Sequence, residues 1–192
     1  MRIENWGLVD YSVGLGRQVE LVEQVAGGDD EVLVFCSHPP IATLGRSTQP
    51  DDLTTWSGET LEVSRGGRVT YHGPSQLVIY PILNLNLPRK NRPPRDLVGY
   101  IRDFENTIVD LLKEEGIDAQ GKSLQSKATK DLAQEETGVW VLDAHNRSRK
   151  IASLGIAVKK WVTYHGAALN LDFDPSAFQG MRPCGFEPQV MI

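Results

Sequence analysis

The stretch whose reading decides the fold lies at 138–173, where GVWVL (138–142), KIASLGIAVK (150–159) and VTYHGAALNLDF (162–173) follow one another with short polar connections. Each run is rich in β-branched, aromatic and small residues and lacks a helical period, so three consecutive strands are expected there. Working outward, the same signature predicts strands over Arg2–Tyr11, Glu31–Ser37, Ile41–Gly45, Leu61–Ser64, Val69–Tyr71 and Gln76–Leu85. The second of these stops at His38-Pro39-Pro40, because proline supplies no N–H to a ladder. Helices are expected over Val13–Ala26, ended by Gly27-Gly28, and over Asp96–Glu115, with Asp96 as N-cap and Gly116 as stop. In the second helix Leu97, Tyr100, Ile101, Phe104, Ile108, Leu111 and Leu112 share one face. Residues Asp118–Thr137 are polar and aperiodic and read as a long surface loop able to act as a lid. A turn or short helix near Pro175–Gln179 follows the last strand. Two helices against eight or nine strands, with no linker between them, predict a single α+β domain over 1–192 whose mixed, largely antiparallel sheet packs with helices.

The composition agrees with a globular domain. Of 192 residues, 40% are hydrophobic and 23% charged, and the net charge of −5 disfavours a nucleic-acid or anionic-membrane binder, which needs a positive field. No apolar run approaches the roughly 20 residues of a membrane span, and the N-terminal segment has no apolar core of the kind a signal peptide carries. The expectation is a cytoplasmic protein with reduced thiols at Cys36 and Cys184.

Chemistry concentrates in four places. The segment SRGGRVTYHGPSQ (64–76) gathers Arg65, Gly66, Gly67, Arg68, Thr70, Tyr71, His72 and Gly73 between two strands. Glycines let backbone N–H groups approach a ligand while the side chains offer donors, although a tight hairpin turn has the same composition. Val69-Thr70-Tyr71-His72-Gly73 recurs letter for letter as Val162-Thr163-Tyr164-His165-Gly166. Two strands ending in His-Gly would place two imidazoles at a sheet edge, either facing one pocket or simply terminating strands. Neither is a metal ligand by spacing, since no H-x-H, H-E-x-x-H or paired C-x-x-C accompanies them. Lys150 opens an otherwise apolar strand, where it is either a half-buried base or an exposed edge guard. Cys184 sits between Pro183 and Gly185, a turn that can hold a thiol at a site, whereas Cys36 inside EVLVFCS reads as a small buried hydrophobe. A cysteine nucleophile needs a neighbouring cation or base, and His72, His165 and Lys150 are candidates.

RGGxxTYHGPxQ (Arg65–Gln76), KIASxGI (Lys150–Ile156), HGxALN (His165–Asn170) and PCG (Pro183–Gly185) occur in the order found in lipoyl(octanoyl) transferases of the lipoate-protein ligase B type. Nearly the whole chain resembles that family, including His38-Pro39-Pro40 with Thr43-Leu44-Gly45 and the segment Gly138–Val141. The resemblance implies the α+β core shared by biotin and lipoate protein ligases. It implies transfer of an octanoyl group from octanoyl-acyl carrier protein to a lysine of lipoyl domains, those of 2-oxoacid dehydrogenase complexes and of the glycine cleavage H protein. By the same resemblance Cys184 is the acyl-thioester nucleophile and Lys150 the general acid/base that lowers its pKa. The segments Arg65-Gly66-Gly67-Arg68-Val69-Thr70-Tyr71-His72, Ser153-Leu154-Gly155 and Gly166-Ala167-Ala168 correspond to substrate-binding stretches, with His165 and Gly73 in support.

A thioester donor carries its own activation, so neither a cofactor nor a metal is expected, nor a nucleic-acid or membrane partner, and a monomer suffices. Backbone N–H groups near Leu154-Gly155 are candidate oxyanion donors. An acyl chain would lie along Val78, Ala167 and Ala168. The basic loop Arg89–Arg95 is either a docking patch for an acidic carrier or a solvated loop. Two other readings fit the same fold: an ATP-dependent lipoate or biotin-type ligase, to which a cysteine is unnecessary, and a non-catalytic acyl-domain binder. Ser75 stands where the family usually has glycine, the 118–137 loop is long for the family, and the chain runs only a short way past Phe186.

Overall fold

The computed structural model describes residues 1–90, 92–122 and 137–192. A seven-stranded sheet forms the centre, in the order β1-β2-β6-β10-β9-β8-β7. Its strands are β1 (Arg2–Leu8), β2 (Val32–Ser37), β6 (Gln76–Ile82), β7 (Ala119–Gly121), β8 (Gly138–Leu142), β9 (Ser148–Lys159) and β10 (Val162–Asn170). All its pairings are antiparallel except β1 with β2. A smaller sheet of order β4-β3-β5 comprises β3 (Ile41–Leu44), β4 (Glu59–Glu62) and β5 (Val69–His72). The architecture is the expected mixed one with a largely antiparallel sheet and two helices.

Strand alternation sends the two faces of the large sheet to different helices. Val78, Tyr80 and Ile82 of β6 pack with Leu21, Val22 and Val25 of α1 (Tyr11–Gly27). Ile79, together with Ala152, Ile156 and Leu169, packs with Tyr100, Phe104, Ile108 and Leu112 of α2 (Leu97–Glu114). Asp96 caps α2 by accepting from the Gly99 N–H at 2.8 Å, and Gly116 leaves the helix at φ 78°. The small sheet has its own core of Ala42, Val69, Tyr71, Phe178 and Met181.

Several expectations change. Tyr11 ends no strand; β1 stops at Leu8 and Tyr11 opens α1, because its ring is buried against His38 and His72 rather than lying on the sheet. Part of the 118–137 segment is not loop: Ala119–Gly121 pairs antiparallel with β8 as an edge strand too short to show a period. The lid reading of the remainder falls on residues 123–136, outside the described residues. The repeated pentapeptide is not two strand ends either. His72 does end β5, but His165 lies inside β10, at φ 55°. There Gly166 passes so close to Ile79 that a Cβ would come within 1.9 Å of its carbonyl oxygen. No helix among the described residues is long and apolar enough to cross a membrane.

Candidate active site

Cys184 occupies a 3₁₀ turn, Pro183–Gly185, at φ 54° and ψ 23°, a left-handed conformation that costs a non-glycine residue energy. The turn aims its Sγ at β9, 3.8 Å from Ser153 Oγ. Burial pushes the Cys184 thiol up, but the charges of Lys150 and Arg65 and hydrogen bonds from Ser153 and Lys150 outweigh it and leave the thiol below its ordinary value. The result is thiolate character, the condition for a sulfur nucleophile. Cys36 is the contrast: buried without a cation, its thiol is raised to about 12.

Lys150 and Ser153 are three residues apart on one strand and would face opposite ways if the alternation were regular. A β-bulge corrects this. Trp140 pairs with Lys150 and its neighbour Val139 with Ala152, so β9 advances two residues for one on β8. Ile151 and Ala152 consequently both pack on the α2 side, and Lys150 shares the opposite side with Ser153. Lys150 is only 1% exposed. Its stem crosses Gly138, at φ 145°, where a Cβ would come within 2.5 Å of Lys150 Cε. Its Nζ lies 5.4 Å from the Trp140 ring and 5.7 Å from the Phe186 ring, two rings that pack edge to face. The Gly138 N–H donates to the buried Glu105 carboxylate of α2 at 2.6 Å, which fixes this shelf.

Arg65 joins the two sheets. Its stem runs over Gly155 of β9, where a Cβ would meet Arg65 Cδ at 2.8 Å. Its head donates to the Thr43 carbonyl and hydroxyl, both at 2.8 Å, and to the Gly66 and Arg68 carbonyls at 3.0 and 2.8 Å. Around it stands a buried set of rings. The Tyr11 hydroxyl is 3.2 Å from His165 Nδ1, and Thr43 Oγ1 is 3.3 Å from His72 Nε2. His38 Nδ1 donates to the Val9 carbonyl at 2.7 Å, so its Nε2 accepts from the Tyr80 hydroxyl at 2.7 Å when the ring is neutral. Burial and the Arg65 charge hold His165 at about 3, and burial with neighbouring positive charge keeps His72 well below the usual imidazole range. Both imidazoles are therefore neutral at physiological pH, which leaves Lys150, of the three candidates, as the cation beside Cys184.

These groups line a cavity of about 320 Å³, at the small end of the roughly 300–1,000 Å³ typical of ligand pockets. Of the residues expected from sequence, Arg65, Gly67, Arg68, Thr70, His72, Lys150, Ser153, Leu154, Gly155, His165, Gly166, Ala167, Ala168 and Cys184 border it, as does Val78. Gly66, Val69, Tyr71 and Gly73 do not. Val69 and Tyr71 alternate with Thr70 and His72 along β5 and so point into the core of the small sheet. Tyr11, Ser47, Gln49, Tyr80 and Thr137 also border the cavity and were not anticipated. Tyr11 and Tyr80 carried no motif, since only the fold brings the start of α1 to the middle of β6. Among the described residues no cluster of three or more His, Cys, Asp or Glu side chains could hold a metal ion.

Comparison with known proteins places this geometry. Residues 10–191 match the lipoyl protein ligase A/B catalytic domain. An octanoyltransferase of Bdellovibrio bacteriovorus is 50% identical over 191 residues, covering 98% of this chain and 85% of that protein. Another, from Syntrophotalea carbinolica, is 37% identical over 186 residues, covering 96% and 78%. In fold, a lipoate-protein ligase A solved with ATP superposes with a TM-score of 0.60 at 16% identity, over 98% of this chain and 79% of that one. The bipartite lipoate protein ligase of Thermoplasma acidophilum superposes with a TM-score of 0.59 at 17% identity, over 90% of this chain and 62% of its own. The chain belongs to the lipoyl protein ligase A/B catalytic domain family.

Proposed function

We propose that this protein is an octanoyltransferase of protein lipoylation that works through a thioester on Cys184. The observation that carries the reading is a cysteine of depressed pKa, set in a strained turn against Ser153 and Lys150 at the wall of a ligand-sized cavity. In the first half-reaction the Cys184 thiolate attacks the carbonyl of a carrier-bound octanoyl thioester. A new C–S bond forms, the carrier thiolate leaves, and it takes a proton from the Lys150 ammonium. In the second, the amine of an acceptor lysine attacks the Cys184 thioester, the C–S bond breaks, and the Lys150 amine receives the proton lost from the acceptor nitrogen. The enzyme ends as it began, and amide formation from a thioester supplies the driving force.

Val78, Ala167 and Ala168 supply a small-residue wall for the acyl chain.

The donor is a carrier-bound acyl thioester and the acceptor a lipoyl domain. Within those classes we assign acyl carrier protein as donor and the lipoyl domains of 2-oxoacid dehydrogenase complexes and the glycine cleavage H protein as acceptors, served by a monomer in the cytoplasm. An ATP-dependent ligase is disfavoured, since adenylation gives a cysteine with thiolate character no task. The test is intact mass after incubation with octanoyl-acyl carrier protein, followed by apo lipoyl domain. An octanoyl-sized increment that is lost in Cys184→Ala and passes to the lipoyl domain is expected. A folded sample that gains no increment and transfers nothing overturns the reading.

A further inference from the structure

The turn that presents Cys184 is suspended from another part of the small-sheet region, residues 51–53. Leu53 bridges Met181, the Arg182 N–H donates to the Asp52 carbonyl at 2.8 Å, and the Arg182 guanidinium reaches Asp51 at 3.1 Å. The Asp52 side chain is fully buried. One of its oxygens accepts from the Gln49 N–H at 2.8 Å and from Arg68 Nε at 3.1 Å, and the other pairs with Arg68 Nη2. Arg68 in turn lies flat against Gly185, where a Cβ would come within 2.6 Å of Arg68 Nη1. Asp52 therefore holds the Cys184 turn from both sides, by its backbone at Arg182 and, through the Arg68 fork, at Gly185.

We infer that Asp52 is a positioning residue for Cys184, acting through Arg68 to keep the Arg182–Gly185 turn in the conformation that aims the sulfur at Ser153 and Lys150. Two adjacent left-handed residues, Cys184 at φ 54° and Gly185 at φ 82°, do not hold themselves; a cysteine released there relaxes to negative φ and swings its sulfur away. The turn's own bonds, Gly185 N–H to the Arg182 carbonyl and Phe186 N–H to the Pro183 carbonyl, close it without fixing where it points. A buried carboxylate–guanidinium pair is a poor source of stability beside the apolar core next to it, but a bidentate pair is directional. Neither Asp52 nor this linkage is implied by any motif that suggested the function.

The experiment is the pH dependence of Cys184 alkylation by iodoacetamide in the full chain, for wild type, Asp52→Asn and Arg68→Lys, with Cys184→Ala to assign the adduct. Both variants keep approximate shape and lose the paired fork. The inference expects the apparent thiol pKa to rise in both, since the sulfur leaves Lys150 and Arg65. It also expects acyl-enzyme formation to slow by about 10-fold to 100-fold in both, the scale of an ångström-level misplacement, at little-changed donor KM in Asp52→Asn, whose side chain is not on the cavity wall. An unchanged alkylation profile, even with a lower Tm, would make Asp52 a stability anchor and overturn the inference. A fall in apparent pKa in Asp52→Asn would overturn it too, as the mark of a mere counter-charge to Arg68. If Asp52→Asn fails to fold, Arg68→Lys carries the same readout. The rate arm rests on the octanoyltransferase reading, whereas alkylation does not. A wild-type thiol that alkylates at depressed pKa but never takes an octanoyl group would sink that reading and leave the positioning role standing.

Discussion

At the residue scale the site depends on two cations near a sulfur and on imidazoles that carry no charge. Replacing Lys150 with methionine keeps the stem on Gly138 and removes the ammonium. The Cys184 thiol should then rise, and acyl transfer should fall by about 10²-fold to 10⁴-fold, the usual worth of a positioned acid/base, with alkylation rates and single-turnover transfer as the measurements. His165 makes a separate prediction about stability. Its folded pKa of about 3 lies below the 6.5 of an unfolded imidazole, so the unfolded chain takes up the proton first. Its contribution is intact above pH 6.5 and is lost progressively as pH falls towards 3. By pH 5 the loss from this residue is about 2 kcal/mol. Urea unfolding at pH 7 and pH 5 should show a steeper decline for wild type than for His165→Gln; equal declines would contradict a buried neutral ring.

Among elements, α2 was the most legible, because seven apolar residues at helical spacing and an aspartate cap agree on one answer; Tyr100, Phe104, Ile108 and Leu112 of the expected face are buried, whereas Leu111 is exposed and the unanticipated Glu105 is buried. The central strands were legible as strands, but the faces of β9 were not. A reader alternating from Ala152 and Leu154 puts Lys150 on the α2 side, and the bulge opposite Trp140 reverses that with no signal in residue type. β7 escaped notice because three residues cannot display a period, and Tyr11 was misplaced by two residues at a boundary where strand and helix both tolerate an aromatic. The motif-bearing residues around the cavity could be named in advance, whereas the tyrosines behind them could not. The bulge yields a test at Gly138. Alanine there would place a Cβ 2.4 Å from the Ala152 carbonyl oxygen and 2.5 Å from Lys150 Cε, in a conformation only glycine adopts easily. Gly138→Ala should lose most transfer activity while the helix signal in far-UV circular dichroism is kept, since the added methyl meets the Ala152 carbonyl and the Lys150 stem rather than the apolar side chains that hold α2 on the sheet. Retained activity would mean that Lys150 does not need the shelf.

For the molecule as a whole, the cavity is a seam between two sheets joined by Arg65, and its charges differ from those on the surface. The basic loop is less free than its sequence suggests. Arg89 pairs with Glu31, Arg92 lies 3.6 Å from Asp103 and over the Tyr100 ring, and Arg95 stacks on Trp161. If the loop nonetheless docks an acidic carrier, Arg89→Glu with Lys90→Glu should raise the donor KM and weaken its salt dependence; unchanged kinetics would leave it a solvated loop.

The seam also has a kinetic consequence. Ser153, Lys150 and Cys184 border one cavity, so the carbonyl that arrives with the donor and the amine that arrives with the acceptor need the same few ångströms beside one sulfur. The two macromolecules must take turns. Initial rates at several fixed acceptor concentrations should therefore give parallel double-reciprocal lines, and excess apo lipoyl domain should inhibit competitively against the donor. Lines that intersect would mean that both partners bind at once.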